Sequence, residues 1–335
     1  MAKFGASVRV GGAVSAVVVF LAGCGGVENG PSSSGGEEDN YPTGTVEMLV
    51  GFSAGGSSDL VSRAVAKGLG DELGVSFPVV NREGANGAVA ASDLATAEPD
   101  GSVVAVQNAS LFVITPLAVS ENEVTSIEDF DVIHGISRDD YVFVTNPESG
   151  YESIEDLSNA TERVTYGTAG VGTGAQLSAL LLMNDLGVES TAVPFDGGAP
   201  ALTALLGNQV DVASLQVGEA IENIEAGKLV PLVVFGPERI GYLPDVPTAH
   251  ELGLEVEVAQ YRFLTAPKGT PEEVKERLVE GLEATFQTEE YQQFNEQNSL
   301  TPMEIPGDEV LAQLNEDREK FAQLVEEFGL SLTES

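Results

Sequence analysis

Gly51-Phe52-Ser53-Ala54-Gly55-Gly56-Ser57-Ser58-Asp59 and Tyr166-Gly167-Thr168-Ala169-Gly170-Val171-Gly172-Thr173-Gly174-Ala175-Gln176 are two stretches built on one plan. Each follows an apolar run, 46–52 or 164–167, that reads as a buried strand. Each opens a helical stretch: 58–73, with Leu60, Ala64, Val65, Leu69 and Leu73 on one face, or 175–186. The first N–H groups of a helix lack internal partners, and the helix dipole favours negative charge there. Glycine lets the backbone approach an anion with no Cβ in the way. Ser57 and Thr173 add hydroxyl donors, although Ser57 or Ser58 also serves as a plain N-cap. Two such loops point to an anion held between them.

Outward from the loops, short β-branched runs alternate with helical stretches. Strands are expected at 77–81, 103–107, 142–145, 190–194, 210–215 and 229–235, and helices at 87–96, 199–206, 218–226, 271–287 and 307–328. Pro271 stands where a first helical turn tolerates it. This alternation predicts an α/β protein with largely parallel sheets. Linker-like features fall at 137–140 and 255–262. Two crossings there give one lobe from 45–138 plus 259–335 and a second from 139–258. The 335 residues, 42% of them apolar, suffice for two cores.

Residues 1–23 read as a secretory leader: Lys3 and Arg9, an apolar run at 12–22, then small residues before Cys24, the only cysteine. Leu21-Ala22-Gly23-Cys24 resembles a lipobox, which implies lipidation of Cys24 and an extracytoplasmic, membrane-anchored protein. Residues 24–44, rich in Gly, Ser, Glu and Pro, read as a flexible tether.

Charge excludes one partner class. With 15 basic against 53 acidic residues the formal charge is −38, which argues against a nucleic acid. The acids are spread along the chain, as expected of a solvated surface suited to high salt; an ordinary acidic exported protein is the alternative. Backbone N–H groups supply positive potential locally, so an acidic chain can still hold an anion.

Other chemistries find less support. Gly170, Gly172 and Ala175 fit a dinucleotide fingerprint with Glu189 as ribose partner, but Glu189 precedes its strand instead of ending it. His134 and His250 lie far apart and no nucleophile elbow is present, so no hydrolase set emerges. His134 reads as a core or hinge histidine and His250 as a surface residue at a helix start. There is no zinc cluster, and Asp139-Asp140 reads as a solvated charge run. No cofactor is implied.

An ordered motif series resembles one family. Phe52-Ser-Ala-Gly-Gly-Ser-Ser-Asp59, Val80-Asn-Arg-Glu-Gly-Ala-Asn-Gly87, Pro99-Asp100-Gly101, Tyr166-Gly-Thr-Ala-Gly-Val-Gly-Thr173, Pro194-Phe-Asp-Gly-Gly-Ala-Pro-Ala-Leu202, Gly207-Asn-Gln-Val-Asp211, Leu243-Pro-Asp-Val-Pro-Thr248 and Ala266-Pro-Lys-Gly-Thr-Pro271 are similar to motifs of the tripartite tricarboxylate transporter substrate-binding proteins, the TctC or Bug family. The resemblance implies a type II periplasmic-binding-protein fold, two lobes joined by two crossovers with the ligand cleft between them. It implies a non-enzymatic, monomeric receptor that captures a small carboxylate for an importer with one large and one small membrane subunit. A sensing partner of a signalling receptor and an exported α/β enzyme are the alternatives. Mapped here, the ligand residues would be Phe52, Ala54, Gly55, Gly56, Ser57 and Asp59 of the first loop and Thr168, Ala169, Thr173 and Gln176 of the second, with Asn108, Ser110, Phe195 and Gln216 at the cleft edge. Asp59 would shape its loop or meet a ligand ammonium. Gln176 and Phe195-Asp196 depart from the family's frequent histidine and Tyr-Lys, which removes donors near the cleft.

Overall fold

The computed structural model describes residues 41–254 and 256–332. The leader, Cys24 and most of the tether lie outside the described residues. Among the described residues ten strands are formed: β1 (Glu47–Val50), β2 (Val79–Asn81), β3 (Val103–Asn108), β4 (Phe130–Thr145), β5 (Val164–Thr168), β6 (Ser190–Pro194), β7 (Val212–Gln216), β8 (Val230–Val234), β9 (Ala259–Pro267) and β10 (Thr301–Pro302). The α-helices are α1 (Ser57–Leu73), α2 (Ala88–Ala95), α3 (Ser110–Val113), α4 (Ile154–Ser158), α5 (Gly174–Asp185), α6 (Gly198–Leu206), α7 (Val217–Glu225), α8 (Glu272–Phe286), α9 (Glu289–Gln297) and α10 (Gly307–Glu327). None of these helices, among the described residues, is long and apolar enough to cross a membrane.

The strands run in the order β2-β1-β3-β9-β4-β7-β5-β6, with β8 and β10 also on β4. β4 belongs to both lobes. Phe130–Asp140 pairs antiparallel with β9, then Tyr141–Thr145 pairs with β7 and β8. The chain therefore changes sheets within one continuous strand, between Asp140 and Tyr141. The linker expected at 137–140 is thus strand. The linker expected at 255–262 is corrected too, because Ala259–Arg262 begins β9, which lies between β3 and β4. Its acidic approach and central arginine broke the apolar pattern that marks a buried strand.

The sheets are mixed instead of largely parallel. β1 pairs parallel with β2 and β3, and β5 with β6 and β7, as strand–helix alternation predicts. The long β4 and β9 enter antiparallel and stitch the two parallel sets together. Pro271 is the N-cap of α8, one position outside the helix. Helix α9, not expected from the sequence, is capped by Thr288, whose hydroxyl accepts the Tyr291 N–H.

Hydrophobic burial fixes the frame. Val61, Val65 and Leu69 of α1 and Leu278, Leu282 and Phe286 of α8 pack with Met48, Val104, Ile133 and Leu264 of the first sheet. A fully buried Leu or Phe contributes about 1.5–3 kcal/mol relative to exposure, so this layer holds α1 rigidly over the strand ends. In the second lobe Ala201 and Leu205 of α6 and Ala220 and Ile221 of α7 pack with Val142, Ala213 and Val234. The C-terminal segment spans both lobes: Tyr261 donates to Asp317 Oδ2 of α10 at 2.9 Å, and Gln176 Nε2 donates to the Leu332 carbonyl at 3.2 Å.

Candidate functional site

Four helices begin at one cavity. Its lining includes Gly56, Ser57 and Ser58 at the start of α1, Thr173 and Ala175 at α5, Gly197, Gly198 and Ala199 at α6, and Gln216 and Glu219 at α7. The remaining wall is Phe52, Ser53, Asn86, Asn108, Tyr141, Ala169, Ser214, Leu215 and Gln260, around about 520 Å³ of empty space. The N-cap residues of α1, α6 and α7 give no side-chain cap, and at the α1 start the Ser57 N–H meets the Glu219 carboxyl. Among the described residues, no lysine or arginine lines this cavity. Positive potential comes from backbone dipoles.

Beneath the lining lies Arg262, fully buried on β9. Its Nε donates to Ser58 Oγ at 3.0 Å, and its terminal nitrogens reach Ser57 Oγ at 3.0 Å, Ser137 Oγ at 3.3 Å, Gln216 Oε1 at 2.8 Å and the Asp139 carboxylate. One guanidinium thus joins the first lobe's helix start, the β4 crossing and the second lobe's cleft edge. Asp139 is no solvated charge; it is buried at 4% exposure and paired with Arg262. Arg262 escaped attention as a site residue, although an arginine amid Tyr261, Phe263 and Leu264 was the available signal.

The first loop is braced from within. Asp59 Oδ2 accepts the Gly55 N–H and Arg63 Nε, both at 2.9 Å, while Oδ1 accepts Arg63 and Asn81 at 2.8 and 2.9 Å. Burial pushes the Asp59 carboxyl up, but Arg63, Gly55 and Asn81 together outweigh it and hold the group below the usual carboxylate range. Gly56 N–H donates to Ser53 O at 3.3 Å. Asp59 shapes the loop, and the N–H groups of Gly55 and Gly56 are engaged inside it.

The second loop is tied across the cleft. Asn86 Nδ2 and Thr115 Oγ1 of the first lobe both donate to the Gly172 carbonyl at 3.1 Å. Gly172 has φ 70°, and a Cβ there would stand 2.9 Å from Thr115 Cα. Gln176 Oε1 accepts the Gly172 N–H at 2.8 Å, and Gln176 N–H donates to the Thr173 hydroxyl cap at 3.2 Å.

Of the residues expected at the site, Phe52, Gly56, Ser57, Asn108, Ala169, Thr173 and Gln216 line the cavity together. Gly55 lines an adjoining space toward α9, and Phe195 lines the outer mouth. Ala54, Asp59, Ser110, Thr168 and Gln176 do not line it. Ser110 accepts from Asn86 and Gln260 in the wall behind. Asn86, Tyr141, Gly198 and Glu219 line the cavity without having been singled out. Glu189 is exposed beside Arg163. His134 is buried, with Nδ1 2.7 Å from Gly135 O, and His250 sits half-exposed near Glu257. No group of potential metal ligands occurs among the described residues.

A mixed α/β frame of two lobes sharing β4, closed on a cleft ringed by helix starts, defines the class of type II periplasmic binding proteins. Residues 61–330 match the family described as "Tripartite tricarboxylate transporter family receptor", and the chain belongs to that family. A protein of Agrobacterium vitis, "UPF0065 protein in the TAR-I ttuE-ttuC' intergenic region", is 36% identical over 74% of this chain and 73% of its own length. Among solved structures, the periplasmic binding protein BugD superposes with a TM-score of 0.80 at 28% identity, over 88% of this chain and 100% of its own. R. palustris Rpa4515 with adipate gives 0.82 at 25%, over 87% and 99%. MatC from Rhodopseudomonas palustris with bound malate gives 0.79 at 26%, over 85% and 100%. The chain is a solute-binding receptor of this type and not an enzyme.

Proposed function

We propose that this receptor works outside the cytoplasm and captures a small di- or tricarboxylate for a tripartite importer with one large and one small membrane subunit. The observation that carries the reading is the convergence of four helix starts on one cavity that no lysine or arginine lines. Such a site suits a compact anion held by N–H groups and hydroxyls. Adipate and malate, named with two of the structural relatives, are of this chemical kind.

Phe52, Gly56, Ser57, Asn108, Ala169, Thr173 and Gln216 form the contact set, with Gly55 and Phe195 at its margins. Ala54, Asp59, Ser110, Thr168 and Gln176 hold the loops that present it. The lobes are 45–138 plus 259–335 and 139–258, and they close as the ligand favours the closed state by its differential affinity. Cys24 carries the lipid, residues 24–44 tether a monomeric receptor to the membrane, and the acidic surface suits high salt.

A thermal-shift screen of mono-, di- and tricarboxylates in high salt tests the assignment. A ligand at 100 times its Kd stabilises by about 2.7 kcal/mol, a rise of about 5 °C for a chain of this size. Stabilisation by sugars or cations, with none by any carboxylate, would remove the ligand class.

A further inference from the structure

Among the described residues, Glu219 is the one acidic side chain lining the cavity. It stands in the first turn of α7 and also lines the adjoining space toward α9. Its carboxyl lies against the start of α6, where a Cβ on Gly198 would collide with it. It therefore sits among the helix starts assigned above to the ligand. A carboxylate ligand entering here meets a carboxyl already in place. Two ionised carboxylates sharing one water-poor site repel strongly, and such a pair retains one proton.

We propose that Glu219 is the specificity-determining carboxyl of the cleft: in its neutral form it donates a hydrogen bond to the ligand carboxylate, so above neutral pH each ligand is taken up with a proton from solvent. The inference rests on the carboxylate-receptor reading. The groups that face Glu219 support it. Arg262 on β9 is the cation whose charge acts on it, but its nitrogens are bonded to Ser57, Ser58, Ser137, Asp139 and Gln216. Asp139 and Tyr141 face it from β4, and the Ser57 and Gln216 N–H groups from α1 and the end of β7. Burial is the largest influence and pushes the Glu219 carboxyl up; Arg262 and the Gln216 N–H pull it down, Asp139 pushes it up, and the Ser57 N–H lowers it. The outcome is about 7 in the free protein, so ionisation is in balance near neutrality. A bound carboxylate raises it further. The sign follows from linkage: affinity is full below the free-protein value and falls as pH rises above it.

The test is calorimetric titration with malate and with adipate, from about pH 6 to about pH 9, on the wild-type protein, E219Q and E219D. Kd of the wild type should rise about tenfold per pH unit above neutrality. Titrations in two buffers of different ionisation enthalpy should show about one proton taken up near pH 8. E219Q keeps a donor and cannot titrate, so its profile should be flat. E219D should stay pH-dependent with a displaced midpoint. Tight, pH-independent binding by the wild type would overturn the proton coupling and leave the receptor reading intact. So would preferential binding of a zwitterionic amino acid that strengthens above neutral pH, because Glu219 would then be pairing with an ammonium group. No binding by any of the three proteins of malate, adipate or any carboxylate of the thermal-shift screen would take down the receptor's ligand class and this inference together.

Discussion

The two glycine-rich loops look alike in sequence and share an internal brace, but only the second is also gripped from the opposite lobe. The first is braced from inside by Asp59, Arg63 and Asn81, and its helix start rests on the buried Arg262. The second has Gln176 on its Gly172 N–H from within, and in addition its Gly172 carbonyl is gripped by Asn86 and Thr115 from the opposite lobe. The difference teaches that glycine-rich turns supply only a permissive backbone. The surrounding side chains decide whether a loop is a fixed wall or a latch between lobes. The first loop should then govern stability and the second should govern closure.

The largest effect should come from beneath the first loop. R262M leaves Asp139 buried without its cation, which costs about 3–5 kcal/mol. Urea unfolding should show this loss, and R262M combined with D139L should recover most of it. Failure of the pair to recover would mean that Arg262 matters for its serine contacts and not for the charge pair. Next is the latch. G172V forces a β-branched residue into a left-handed conformation against Thr115. Overpacking of about 1–3 kcal/mol against Thr115 on closure plus a lost hydrogen bond of about 1 kcal/mol predicts affinity about 30-fold weaker or more, read by calorimetry. The melting temperature of the ligand-free protein should change little by comparison. Equal damage to free-state stability would erase the contrast between wall and latch.

The smallest effect belongs to D59N, about 1–2 kcal/mol at neutral pH, because charge-assisted bonds to Gly55 and Arg63 are weakened. Asp59 is held below the usual carboxylate range, so its contribution is present above that range and lost as pH falls through the folded-state value. Wild type and D59N should therefore converge in acid. A difference that persists in strong acid would assign the effect to packing.

Much of the architecture was legible locally. The strand and helix of each loop, and the alternation that builds the two parallel sets, follow from apolar spacing over a few residues. β9 was not legible, because Arg262 looks like a solvent residue until Asp139, distant in sequence, is placed beside it. The full length of β4 was hidden for the same reason: Arg138, Asp139 and Asp140 interrupt its apolar pattern, while its partners come from both lobes. At the site, the glycine signature marked two of the four helix starts. α6 begins at Gly197-Gly198 in a motif that carries no hydroxyl donor, α7 begins directly at the end of β7, and only the topology brings Gly198 and Glu219 to the same cavity. A glutamate in the first turn of a helix is locally unremarked, because the dipole favours it there.

The central claim is that backbone N–H groups at converging helix starts, with no lysine or arginine in the lining, hold the ligand carboxylate. A crystal structure with whichever carboxylate most stabilises the protein tests it most directly. The account predicts carboxylate oxygens within about 3 Å of first-turn N–H groups of α1 and α6, with Thr173 or Ser57 hydroxyls completing the shell. A carboxylate bound instead to an arginine or lysine side chain, or outside the cleft between the two loops, would contradict it.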